Sequence, residues 1–501
     1  MVSSPLIWLR VWHRRGVLTC GSGNGKVNVM KPPIDAHPGP GAPLSRRRIL
    51  LGATSLGAVA GLASCARHAP TVPAGDHAVD VLVIGAGIAG LAAAHALTSS
   101  DQRCVVLEAR DRVGGRIWTS RRWPDLPVDL GASWIHGTDR NPIFDEANRF
   151  GIATTVFDVG SFDGTGSSVY YSDNGTQLDE DAVEDRSARV IAALERAADT
   201  KASGRTSLRE AIDALPAPLR ELTREPAVAA ALTDYAGDYG ATPDALALSA
   251  LDEEDSFPGA QRVFPGGFGQ LADRMAEGVA VRLNTPVTAV RLREDQVLVD
   301  AAGGQWTAAK VIVTVPLGVL KSGAIQFDPP LPRRHAEAID RLGVGRFEKL
   351  VLKFDSAFWD DVDQIQVVDA PGAPFSGWYN LNRAVGHPAL MALNGGAAAA
   401  AVGGVPVQRQ AALASELLVG IYPGRFRPPL DAQATDWWAD EFSRGSYSFT
   451  AVGSGERDRE ALGEPIGGRL WLAGEALHPT LHSTVHGAWL SGQSAASQAA
   501  G

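Results

Sequence analysis

Cysteine is nearly absent from this chain. Its 501 residues hold three, Cys20, Cys65 and Cys104, and only Cys104 lies in the main body. A lone thiol makes no internal disulfide and there is no Cys-x-x-Cys pair for zinc, so an apolar core must hold the fold. Positive charge is also in deficit, with 46 Lys and Arg against 56 Asp and Glu and a net charge of −10. That balance argues against a nucleic-acid partner and permits a cationic one. A hydrophobic content of 45% with 20% charged residues excludes disorder throughout. The uncharged run at 49–64 has 16 residues, short of the roughly 20 that cross a bilayer as a helix.

That run sits in "SRRRILLGATSLGAVAGLASC", residues 45–65. Small residues fill it, as in the apolar region of a secretion signal. Its Ser45-Arg46-Arg47-Arg48-Ile49-Leu50 resembles the twin-arginine export signal, and Leu62-Ala63-Ser64-Cys65 resembles a lipobox whose cysteine carries a lipid anchor. The other reading is a buried helix, which the surrounding Pro and Gly disfavour. The expectation is an address for the cell envelope, with Met30 opening a leader of ordinary length.

Residues 80–84 form a short apolar run, read as a buried parallel strand. Gly85-Ala86-Gly87-Ile88-Ala89-Gly90 follows, then a helical pattern, a second strand at 104–107, and Glu108. Strand, Gly-x-Gly-x-x-Gly, helix, strand and acid in this order predict a dinucleotide site. Gly85, Gly87 and Gly90 admit a pyrophosphate to the helix N-terminus, and Glu108 would accept from ribose hydroxyls and repel a 2′-phosphate. Arg112 and Arg116 flank Gly114-Gly115, where guanidinium groups can meet phosphate. FAD and NAD both remain open on these residues alone.

"VIGAGIAGLAAAHAL" with "VVLEARDRVGGRIWT", and then "DLGASWIHG", "PGGFGQLADRMA", "VIVTVPLGVL", "LGVGRFEKLVLKFDSAFW", "DEFSRGSYSF" and "WLAGEALHPTLHSTVHGAWLSG", resemble the flavin-containing amine oxidases in residue and in order. The resemblance runs from about residue 80 to the C-terminus, and its motifs are closest to those of polyamine and spermine oxidases. It implies non-covalent FAD, since Ser446 stands where monoamine oxidases carry a flavin-linked cysteine. It implies an α/β fold: a Rossmann-type FAD-binding domain from residues 77–140, 258–325 and 455–501, and an inserted α+β substrate-binding domain from 141–257 and 326–454. It adds Arg110, Val287, Trp437, Gly474, Glu475 and Val485 to the cofactor set. In it, Glu475 bonds the ribityl–phosphate region and the Val485 amide faces the flavin's N1–C2=O edge.

By the same resemblance Lys349 holds a water against flavin N5. Lys353 shares its strand parity, and alternation cannot separate the two. Tyr447 matches one wall of an aromatic sandwich and Thr484 the other, where monoamine oxidases carry an aromatic residue. His136 matches a histidine of the polyamine oxidase tunnel, a structural histidine being the other reading. Trp134 replaces the arginine with which amino-acid oxidases grip a carboxylate. Trp437 matches a tryptophan beside the flavin, although either member of the Trp437–Trp438 pair reads equally well as core.

His478, His482 and His486 are four apart, but Pro479 and the capping Ser483 or Thr484 break the helix, and no acid or thiolate accompanies them, so no metal is expected. The acidic runs at 179–185 and 252–255 read first as solvated faces and second as a means of steering a cation. The implied reaction removes hydride from the carbon beside a deprotonated amine nitrogen to flavin N5, with hydrolysis of the imine and reduction of O2 to H2O2. Polyamines such as spermine, spermidine or acetylated forms are the favoured substrates, then a primary monoamine, then an amino acid. The rivals are a flavin-bearing envelope lipoprotein that carries electrons and a desaturase-like flavoenzyme acting on lipid.

Overall fold

The strand Ala78–Ile84 has four consecutive buried residues at its C-terminal end, so both of its faces are covered, as in the centre of a parallel sheet. The computed structural model describes residues 77–501 apart from 101, 160–165, 201, 254–255 and 369. The proposed export address at 45–65 therefore lies outside the described residues.

Ala78–Ile84 pairs in parallel with Gly304–Val313 on one side and Cys104–Leu107 on the other. Ala280–Arg282 and Leu470–Leu472 extend the parallel part, while Val287–Leu292, Val297–Ala301 and Gly304–Val313 form an antiparallel meander. The fingerprint helix Ile88–Thr98 and the C-terminal helix Val485–Ala500 pack together on one face, where Gly492 lets the backbones touch: a Cβ there would lie 2.1 Å from the Ala89 carbonyl oxygen. Gln326–Asp328 adds to this same sheet, and Ala338, Ile339 and Leu342 fill its second apolar cluster. The boundary expected at residue 325 thus falls too early, because this core extends to Leu342.

A second sheet has the order Asp431–Ala434, Phe347–Lys353, Ala389–Gly395, Gly377–Asn380, Gln364–Val367, Ser168–Tyr171. It is antiparallel except for its last pair. Helices Glu180–Ala198 and Pro226–Asp238 share an apolar cluster beside it, with Val190, Leu194, Leu232 and Tyr235 buried. Among the described residues no helix is long and apolar enough to cross a membrane.

Candidate active site

The fingerprint glycines differ in what surrounds them. Gly85 has a φ of +104°, and a Cβ on Gly90 would lie 1.9 Å from the Gly85 carbonyl oxygen, so both are required by packing. Gly87 caps the helix N-terminally, and a Cβ there would meet nothing within 4 Å. That open space lies at the positive end of the helix, where a phosphate fits. Gly474, with a φ of +145°, is open in the same way. The cleft containing both is lined by Gly85, Glu108, Arg110, Gly114, Gly115, Arg116, Val287, Glu475 and Val485, among others. Its donors, glycines and apolar walls suit an FAD, and these are the residues that would hold it.

Several expected cofactor residues reach the cleft already engaged. The Glu108 carboxylate accepts from the amides of Ala86 at 2.6 Å and Arg110 at 2.9 Å. Arg110 donates both arms to Asp440, at 2.6 and 2.9 Å, and one to the Ser443 hydroxyl. Arg112 departs from expectation. It is not among the cleft-lining residues; its guanidinium donates to the Val113 carbonyl at 3.2 Å and lies 5.1 Å from the Trp118 ring. Burial pulls it down to about 10, and the charge of Arg110 adds to this. It braces the turn while Arg116 faces the cleft.

Arg116 donates to Glu475 at 2.8 Å and to the Ser446 carbonyl at 2.9 Å. Glu475 is almost fully buried and also accepts from the Ser448 hydroxyl at 2.7 Å and the Ser483 amide at 3.1 Å. Burial alone would raise its carboxyl, but Arg116, Ser448 and the buried Arg459 outweigh it and hold it below its usual value. Glu475 thus fixes Arg116 and itself lines the cleft.

Arg116 and Ala132 line the cleft and also a small cavity bounded by Phe347, Lys349, Trp437, Ser446 and Tyr447. Lys349 donates to the carbonyls of Asp129 at 3.0 Å and Gly131 at 2.6 Å, and to the Ser133 hydroxyl. Burial lowers it from the usual lysine value, with the charge of Asp129 opposing. Burial raises Asp129 in turn, against the Thr119 hydroxyl and Lys349. Lys353 points elsewhere and pairs with Asp125 at the surface, at 2.6 Å. Trp437 donates its ring N–H to the Leu130 carbonyl at 3.1 Å, and the Tyr447 hydroxyl donates to the Asp238 carbonyl at 2.6 Å.

A larger cavity of about 590 Å³ shares Phe347 with this small one. Six carboxylates line it: Glu180, Asp181, Glu184 and Asp185 at exposed positions, and Asp234 and Asp238 on the helix Pro226–Asp238. Among the described residues that line it there is no Lys or Arg. Burial pushes Asp234 up to about 7. The acidic run at 180–185 is thus solvated, as expected first, and also lines a cavity wall. Of the run at 252–255, Asp252 is not among the residues that line it, and residues 254–255 lie outside the described residues.

Among the described residues no His, Cys, Asp and Glu group is arranged for a metal. His136 is buried beside Gln261 at 3.3 Å and lines none of these three cavities. Thr484 caps the C-terminal helix, accepting from the Gly487 amide at 2.9 Å and donating to the Leu481 carbonyl at 2.6 Å, so its hydroxyl is committed to the backbone. Sequence reasoning missed Asp129, Ser133 and Asp440, although all three lie within or beside the motifs "DLGASWIHG" and "DEFSRGSYSF". It missed Thr314 of "VIVTVPLGVL" too, whose hydroxyl closes the fingerprint turn on Ile84 and Gly85.

A family model described as flavin-containing amine oxidoreductase matches residues 88–500. The chain belongs to this family. It is a FAD-dependent amine oxidase, and the residues lining the cleft above would hold its flavin. The oxidase is 32% identical to polyamine oxidase 3 of Oryza sativa subsp. japonica, over 84% of this chain and 89% of that protein. It is 32% identical to polyamine oxidase 2 of Arabidopsis thaliana, over 83% of this chain and 87% of that one. It is also 33% identical to lysine-specific histone demethylase 1 homolog 3 of Oryza sativa subsp. japonica, over 82% of this chain but 53% of that protein. A solved putrescine oxidase bound to putrescine shares the fold, with a TM-score of 0.70 at 23% identity, over 84% of this chain and 98% of that one.

Proposed function

We propose that this oxidase acts on polyamines that carry at least two amine nitrogens. The observation that carries the reading is the carboxylate-lined cavity, which shares the wall residue Phe347 with the Lys349–Tyr447 cavity. A cavity lined by six acids, with no base among its described residues, favours an extended polycation and disfavours an amino acid's carboxylate. The polyamine oxidases among the relatives point the same way.

The chemistry supplied by bound FAD is acceptance of a hydride from the carbon beside the amine nitrogen and its discharge to O2. The rest falls to the chain. Phe347, Tyr447 and Trp437 wall the reacting end. Lys349 lines that end with its ammonium held by the Asp129 and Gly131 carbonyls and the Ser133 hydroxyl, and burial brings it closer to losing its proton. Raised carboxyls such as Asp234 ionise when an ammonium arrives, which anchors the far nitrogen while the reacting one sits deprotonated.

Anaerobic visible spectra before and after spermine, spermidine, their acetyl forms, benzylamine and leucine test this. Bleaching by polyamines alone is expected. Bleaching by benzylamine would move the reading to a monoamine oxidase, and flavin that every amine leaves oxidised would support the electron-carrier reading.

The export address is proposed on sequence alone. The cleft draws on residues 85–116, 285–288, 441–444 and 474–488, so FAD loads only into a folded chain. A route that carries folded proteins suits such a site. Export unaffected by R46K together with R47K would overturn it.

A further inference from the structure

Glu348 precedes Lys349 on the strand Phe347–Lys353, so the two side chains leave opposite faces. Both are buried, and only Lys349 lines the small cavity. Glu348 turns instead to the segment that follows the neighbouring strand Asp431–Ala434. Its carboxylate accepts from the Thr435 hydroxyl at 2.6 Å, the Trp437 amide at 3.0 Å and the Trp438 amide at 3.2 Å. Thr435 in turn accepts from the Lys349 amide at 2.8 Å. The circuit closes beyond Trp437, whose ring N–H donates to the Leu130 carbonyl, between the Asp129 and Gly131 carbonyls that receive the Lys349 ammonium.

We propose that Glu348 is a positioning residue for the flavin-facing wall: it holds the Thr435–Trp438 backbone so that Trp437 stands across the cavity from Lys349. A carboxylate suits this task because it only accepts, and all three partners donate. Burial opposes the charge, and pushes the group up to about 7, with the Thr435 hydroxyl and the two amides working against it and Asp436 adding to it. A buried acid held at that cost needs a purpose, and the surrounding geometry supplies one: without it two amides at the turn have no acceptor. The inference rests on the family's oxidase reaction and not on which amine is oxidised.

The test compares the FAD-loaded wild-type protein with Glu348→Gln and Glu348→Asp. Glutamine keeps the shape but sets an N–H against an N–H, so one amide of the turn loses its acceptor. Hydrogen exchange of the peptide spanning 435–438 should quicken about tenfold in Glu348→Gln, with the bound flavin's visible bands shifted. The rate of anaerobic bleaching should fall about tenfold while the amine concentration for half-maximal rate changes less than about twofold. Glu348→Asp, which retains the acceptors, should recover part of both. Wild-type exchange and wild-type bleaching in Glu348→Gln would overturn the proposal. So would a loss confined to thermal stability, with exchange at 435–438 and the flavin bands unchanged. If no polyamine bleaches even the wild type, the substrate reading fails, and the exchange and band measurements still decide this one.

Discussion

Arg116 and Glu475 lie 359 residues apart in the chain and meet at 2.8 Å beside the flavin cleft. One comes from the turn after the second parallel strand, the other from the start of the last motif. The pair ties the two ends of the FAD-binding fold together, with Arg459 and Ser448 completing the charge balance behind Glu475.

Removing the charge from one member leaves the other uncompensated. Glu475→Gln should destabilise the fold by about 3 kcal/mol and weaken FAD retention. Unfolding titrations and the flavin absorbance left after dialysis measure both. A variant as stable and as yellow as wild type would show that Arg116 finds another partner.

The two lysines of the Phe347–Lys353 strand should separate sharply. Lys349→Met is expected to keep FAD and bleach about a hundredfold more slowly with amine. Lys353→Met removes an exposed pair with Asp125 and should stay within about twofold of wild type. Stopped-flow absorbance of both variants is the measurement, and equal losses would remove Lys349 from its assigned role.

Asp234 offers a test of the polyamine reading. Asp234→Asn should raise KM for spermidine about thirtyfold and leave any slow turnover of benzylamine unchanged. A uniform effect on both amines would place Asp234 in the scaffold.

His486 gives a pH dependence with a definite sign. Burial first, then the charge of His136, pulls it down to about 3. The unfolded chain binds a proton at this ring near pH 6.5 and the folded chain does not. The stabilisation is therefore complete above about pH 6.5 and is lost as pH falls toward about 3. Between pH 7.5 and 5 this residue should account for about 2 kcal/mol of lost stability. Glu348 and Asp234, raised to about 7, act in the opposite direction over part of that range. Comparison of wild type with His486→Gln at the two pH values isolates the histidine; an equal loss in both would contradict the assignment.

The sequence by itself determined the family and its cofactor, and named the glycines and the acid that line the cleft. The fingerprint is local: an apolar strand, glycines at fixed offsets and an acid on the next strand are consecutive in the chain, and backbone geometry dictates each one. The helix Val485–Ala500 and its polar cap were legible for the same reason. Tertiary structure decided the rest, because the deciding contacts join distant segments. Lys349 and Lys353 share a face at even spacing, and only what lies opposite, the carbonyls of Asp129 and Gly131 or the carboxylate of Asp125, distinguishes them. Arg112 and Arg116 look alike beside their glycines, yet one turns to Trp118 and the other meets Glu475. The acidic run at 180–185 reads as a solvated helix face; it becomes a wall of the cavity only where the helix Pro226–Asp238 and the second sheet enclose the space beside it.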